Sequence, residues 1–162
     1  MGEESRTRDL RRTARSALGA AGVALVEVVY PRRCAGCGRR GMWVCADCDR
    51  ALPRLAPPWC ERCGVPGGAA ACRCATLPPA LGMVRSAAPF DGWLRRAVHA
   101  FKYQDERARA DHLGDLLVEV VAGLGPVDGL VPVPLHPARQ RRRGYNQSAL
   151  LAQRAGAALS IP

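Results

Sequence analysis

Eight cysteines, Cys34, Cys37, Cys45, Cys48, Cys60, Cys63, Cys72 and Cys74, lie within a single short stretch of a 162-residue chain. CAGC, CADC and CERC are each C-x-x-C, and the last pair, CRC, is C-x-C. Two intervening residues let both sulfurs face one ion while backbone N–H groups point at the thiolates. Gly36, Gly38 and Gly64 supply the tight turns this needs. Four thiolates around Zn2+ close a tetrahedron and leave no position open for substrate, so the chemistry predicted is structural zinc, up to two ions. Spacing alone does not fix the pairing. Sequential sharing joins Cys34/Cys37 with Cys45/Cys48 and Cys60/Cys63 with Cys72/Cys74; interleaved sharing is the alternative. The C-x-C pair marks the second site as the weaker. A disulfide framework would instead require an oxidising compartment.

The elements around these cysteines are poor in apolar residues. Residues 31–79 are rich in Pro, Gly and Cys, so metal must supply their folding energy. Leu52–Trp59 reads as a rigid connector between two small ribbons. Upstream, Arg11 and Arg12 precede the apolar run Ala17–Tyr30, which is only 14 residues long and is interrupted by Glu27. A bilayer span needs about 20 apolar residues. The reading is an amphipathic helix over residues 1–30, no membrane span, and a cytoplasmic chain.

Net charge is +10, carried almost wholly by arginine, with Lys102 the single lysine. Such a balance suits anionic partners: nucleic acid, a phosphorylated small molecule or an acidic membrane surface. Arginine used merely for solubility is the competing explanation.

Residues 81–162 show α/β punctuation. Met83–Phe90 reads as a strand and Asp91 as an N-cap. Leu94, Ala97, Val98 and Phe101 then form one face of a helix. Leu113, Leu116, Leu117, Val120, Val121 and Leu124 form a second, ended by GLGPVDG. His99 and His112 read as ordinary polar residues of these helices. Leu130–Leu135 is expected as a strand whose Pro132 and Pro134 cannot donate to a ladder. A basic loop, RQRRRG, should follow, then a helix over Asn146–Ser160. Strand, basic loop and helix make half of a doubly wound unit, in which anions bind at strand ends near helix N-termini. Arg offers a planar fork to phosphate, and Gly144 allows close backbone approach.

Taken in order, CAGC…CADC, CERCG, FDGWLRRAVHAFKYQ and VPVPLHPARQRRRGYNQSALLA resemble the ComF family, from about Tyr30 onward. The resemblance implies a double zinc ribbon (residues 31–80) followed by the first part of a type I phosphoribosyltransferase-like, doubly wound α/β domain (81–162), and a link to uptake of transforming DNA. It further implies pyrophosphate or phosphate contacts from His136, Arg139, Arg143 and Gly144, support from Tyr145, Asn146 and Gln147, and a role for Lys102 in the KY element with Tyr103. In the full-length family it implies Mg2+ with phosphoribosyl pyrophosphate. Two acidic residues followed by Thr-Thr-Gly, the family's ribose-phosphate motif, do not occur in these 162 residues. The chain therefore reads as a truncated member, not catalytic by itself. The alternative is a zinc-ribbon adaptor that binds DNA, single-stranded DNA included, or a protein of the DNA-uptake machinery.

Overall fold

The computed structural model describes residues 31–67, 72 and 74–162; the helix expected over residues 1–30 lies outside them. The chain first makes a glycine-built knuckle. The Gly38 N–H donates to the Cys34 carbonyl at 2.9 Å, the Cys34 N–H to the Arg39 carbonyl at 2.8 Å, and the Gly41 N–H to the Arg32 carbonyl at 2.9 Å. One antiparallel bridge joins Arg33 to Arg40. Gly38 and Gly41 sit at φ 75° and 92°, where a Cβ would be strained.

The same knuckle recurs at an interval of 26 residues, the distance from Cys34 to Cys60. Gly64 N–H donates to Cys60 O (2.8 Å), Cys60 N–H to Val65 O (2.9 Å) and Gly67 N–H to Pro58 O (3.3 Å). Trp59 bridges Pro66, and Gly64 and Gly67 repeat the positive φ at 68° and 80°. The shared pattern is C-x-x-C-G-x-x-G. The second halves differ. A short helix α1, Ala46–Arg50, starts right after Cys45, whereas a single 3-10 turn, Cys74–Thr76, ends the second ribbon.

Helix α2 (Gly92–Tyr103) begins as its sequence predicts, with the Asp91 side chain accepting from the Gly92 N–H at 2.7 Å. Leu94, Ala97 and Phe101 are buried on its inner face, with Trp93 and Ala100 beside them. Helix α3 (Arg109–Ala122) buries Leu113 and Leu116. Helix α4 is Pro137–Arg143 and helix α5 is Gln147–Leu159. One core joins the ribbons to these helices: Leu52 lies with Trp93, Leu94, Ala97, Phe101, Ala110, Leu113, Leu116 and Tyr145, and Val44 and Cys48 pack against them.

Two expectations need correction. Neither Met83–Phe90 nor Leu130–Leu135 forms a strand ladder, and the described residues contain only isolated bridges. A strand requires an aligned neighbour, and each segment finds other partners. The Val84 N–H donates to Arg62 O at 2.7 Å and Ala87 O accepts from Leu55 N–H at 2.9 Å, so the first segment is bound to the second ribbon and the connector. Leu130–Leu135 is held at its start by Leu130 N–H to Pro162 O (2.8 Å) and further on by Asn146 Nδ2 to Val133 O (3.1 Å). Val131 and Val133 stand 92% and 72% exposed. The described residues therefore show a helical C-terminal half rather than a doubly wound sheet.

Likewise, RQRRR is not a loop but most of helix α4. The His136 ring accepts from the Ala138 N–H at its start, and Pro137 sits where a missing N–H costs nothing. Arg141–Arg143 occupy the last turn, favoured there by the helix dipole, and Gly144 ends the helix in the left-handed region at φ 75°.

Helices α3 and α5 approach closely at Gly114. A Cβ there would lie 2.5 Å from Arg154 Cγ and 2.7 Å from Arg154 Cβ. Helix propensity alone would make Gly114→Ala stabilising by about 1 kcal/mol. The contact reverses this, and we expect a loss of about 1–3 kcal/mol, the usual cost of overpacking. Urea unfolding of the zinc-loaded protein measures the sign.

Candidate metal centres and anion cleft

The eight sulfurs gather into two sequential groups, Cys34/Cys37/Cys45/Cys48 and Cys60/Cys63/Cys72/Cys74. Within each, every Sγ lies within 4.8 Å of the others. A Zn–S bond of about 2.3 Å gives a tetrahedron with edges of about 3.8 Å. Cys37–Cys45 at 3.7 Å, Cys60–Cys72 at 3.6 Å and Cys63–Cys72 at 3.9 Å match this edge, with Cys60–Cys74 tighter at 3.3 Å. The pairing left open by spacing is thus sequential. Backbone N–H groups address the sulfurs, Cys45 N to Cys34 Sγ at 3.3 Å and Cys74 N to Cys72 Sγ at 3.4 Å. The donor set fits structural Zn2+ at both places.

Electrostatics agree. Burial pushes the Cys34 thiol up, but N–H groups of Cys37, Cys45 and Gly36 outweigh it and bring it down to about 6. The N–H groups of Cys63 and Arg62 lower Cys60 to about 6. Cys48 is pushed up to about 12 chiefly by its hydrogen bond with Cys45, and Cys74 to about 12 chiefly by Cys72. One easy and one very reluctant ionisation in each group is what crowded thiolates show without a cation among them. A divalent ion removes that conflict.

The sites differ in protection. Cys34 and Cys45 are buried, whereas no cysteine of the second site is. Gly36 is pressed against the first site: a Cβ there would fall 2.4 Å from Cys48 Sγ. The first site is also fastened to helix α2. Trp93 Nε1 donates to the Cys48 carbonyl at 2.9 Å, and Arg96 donates to the carbonyls of Ala35 and Gly36 at 2.9 and 3.2 Å.

A second feature is a cleft of about 630 Å³ lined by Lys102, Tyr103, Asp105, Arg107, Arg141, Arg142, Arg143, Gly144 and Tyr145. Of the residues singled out by sequence, Lys102, Arg143, Gly144 and Tyr145 meet here. Tyr145 is buried, its hydroxyl donates to the Phe101 carbonyl, and burial pushes its phenol pKa up. Gln147 lies behind the wall, accepting from Arg143 at 3.0 Å. Asn146 caps helix α5, accepting from the Ser148 N–H. His136 and Arg139 are exposed on the first turn of α4 and do not line the cleft.

Arg107 is the residue that sequence reasoning missed. Its guanidinium lies 4.6 Å above the Tyr145 ring, and a Cβ at Gly144 would meet it at 2.7 Å. Close approach at Gly144 is therefore used by Arg107. Arg143 lies 4.9 Å from the Tyr103 ring on the other side. No local signal marked it, since DER (Asp105–Arg107) is net negative, and only tertiary structure brings Arg107 against RRRGY.

We expect about two zinc ions per chain by metal analysis. A chelator should empty the second, unburied site before the first. Gly36→Ala should cost the first ion and spare the second, giving a stoichiometry near one. Retention of both ions by that variant would contradict the geometry.

Residues 25–77 match the double zinc ribbon domain. The chain is 35% identical over 119 residues to the DNA utilization protein YhgH of Salmonella typhi, covering 68% of this chain and 52% of that protein. It is 35% identical over 123 residues to DNA utilization protein YhgH of Escherichia coli K12, covering 70% and 54%. The Shigella flexneri protein of that name is 34% identical over the same length. The chain spans about half the length of the curated relatives it matches. No solved structure matches it. What these comparisons establish is a double zinc ribbon domain in a chain similar to proteins named for DNA utilization.

Proposed function

We propose that this chain belongs to the DNA-uptake proteins of the ComF type, its ribbons bracing an anion site of phosphoribosyltransferase character. The similarity to DNA utilization proteins supports the first part. The observation that carries the second is the cleft itself, where Lys102, Arg107 and Arg141–Arg143 line one space beside the Gly144 turn.

The chemistry of that cleft suits a small polyanion. Arg107 and Arg143 are each seated on a tyrosine ring, which fixes the guanidinium plane before any ligand arrives. Fixed forks lose little entropy on accepting a phosphate. Asp105, the cleft's carboxylate, is tied to Arg107 at 2.8 Å and so repels an anion less than a free one would. Pyrophosphate is the simplest ligand of this class. Phosphoribosyl pyrophosphate with Mg2+ is the natural extension in a full-length relative; these 162 residues, which contain no ribose-phosphate motif, are not proposed to catalyse the transfer by themselves.

Calorimetry with inorganic pyrophosphate tests the cleft. Arg143→Ala or Arg107→Ala should weaken binding about tenfold or more, because a hydrogen bond to a charged group contributes about 1.5–3 kcal/mol. His136→Ala, outside the lining, should change it little. Equal affinity in all four proteins would refute the assignment.

A further inference from the structure

The chain builds the same knuckle twice, and the two copies form an internal control. The hydrogen bonds, the bridge and both positive-φ glycines coincide between residues 32–41 and 58–67. The side chains do not. Arg32, Arg33, Arg39 and Arg40 of the first knuckle correspond to Pro58, Trp59, Val65 and Pro66 of the second. The fold of a knuckle therefore does not require arginine at these places.

Nor does local packing explain Arg33 and Arg40. In the second knuckle, Trp59 lies under the Arg85 guanidinium at 5.3 Å, and Gly64 abuts the Val84 carbonyl, so that copy is docked on the chain. In the first, a Cβ at Gly38 or Gly41 would meet nothing within 4 Å, and Arg33, Arg39 and Arg40 are exposed. Arg39 has a structural use: it pairs with Asp47 at 3.4 Å, and the thiolates of Cys45 and Cys37 hold it charged. Arg33 and Arg40 have no carboxylate within ion-pair distance among the described residues. Instead they are bridge partners, two like charges placed opposite each other. Such a pair destabilises the hairpin. An anion lying across both would turn that repulsion into a binding surface.

We infer that the first knuckle's Arg33 and Arg40 grip the phosphate backbone of DNA. The inference rests on the reading of the chain as a DNA-uptake protein and names the part of it that touches the polymer. The site is separate from the cleft at Gly144, which takes a small anion.

The test uses the zinc-loaded 162-residue chain and fluorescent oligodeoxynucleotides, single- and double-stranded, from about 20 to 200 mM salt. The variant is Arg33→Gln with Arg40→Gln; both side chains are exposed, so zinc content should stay unchanged. Affinity at low salt should fall roughly tenfold. The slope of log K against log salt should fall by about 1.4 on single strands and about 1.8 on duplex, the share of two phosphate contacts. Arg33→Lys with Arg40→Lys should keep most of the binding, and inorganic pyrophosphate should not compete. If the wild type binds DNA and the glutamine variant binds with the same affinity and slope, the knuckle assignment is wrong and the DNA reading stands. If the wild type binds no DNA even at low salt, both fail. Capture of the wild type by phosphatidylserine vesicles in place of DNA would overturn the assignment as well.

Discussion

The N-terminal half depends on one interaction, the attraction between each cluster of four sulfurs and a divalent cation. Residues 31–67 bury few large apolar side chains, Leu52 being the main one, and form no strand longer than a bridge. Hydrophobic burial on that scale cannot offset the entropy of ordering so many residues. Sulfurs held a tetrahedron's edge apart, with N–H groups aimed at them, make sense only if metal binding supplies the difference. The glycines follow from the same constraint, since a knuckle tight enough to present two thiolates must turn through left-handed backbone.

That metal-held half is then welded to the helices. The Cys48 carbonyl, belonging to a zinc ligand, takes the Trp93 indole, while Arg96 holds the carbonyls of Ala35 and Gly36 between two more ligands. On the facing side, Arg54 joins Asp49 at 3.1 Å to Glu119 of α3 at 2.9 Å, and Arg109 reaches the Trp43 carbonyl at 3.2 Å. Helix α2 carries these contacts at its first turns and Phe101, Lys102 and Tyr103 at its last. One helix of 12 residues thus connects the first metal centre to the arginine-lined cleft. The first ribbon is fixed to α2, and Tyr145 joins the cleft wall to the same helix through the Phe101 carbonyl.

What could be read from the sequence follows the range of each interaction. The cysteine groups, the Asp91 cap and the apolar faces of α2 and of α3 as far as Val121 rest on contacts within a few residues and were legible, whereas Leu124, expected on the α3 face, lies past the helix end and is exposed. Helix α4 was not legible and reads as a loop: His136, Pro137, three terminal arginines and Gly144 are start and stop signals, but the density of charge obscured them. Strands could not be read this way. Leu130–Leu135 has a strand's composition, but a strand is defined by its neighbour, and none is aligned with it among the described residues. Arg107 was hidden for the same reason, its partner Tyr145 being supplied by a distant turn.

Arginine itself was the coarsest part of the sequence reading, because a count of charges treats every guanidinium alike. Four of them lie on aromatic rings: Arg85 on Trp59, Arg107 on Tyr145, Arg109 on Trp43 and Arg143 on Tyr103. Arg109 is buried and paired with Glu106, so it contributes little to a surface field, while Arg96 spends its donors on the Ala35 and Gly36 carbonyls. A planar, weakly hydrated cation can stack and hydrogen-bond at once, which suits arginine better than lysine to these four places. Among the described residues, exposed arginines gather most densely at the first knuckle and at the end of α4. Both lie where backbone turns at a left-handed glycine, and both are exposed. Within them, Arg33, Arg40, Arg141 and Arg142 pair with no carboxylate among the described residues, whereas Arg39 is held by Asp47 and Arg143 by the Tyr103 ring.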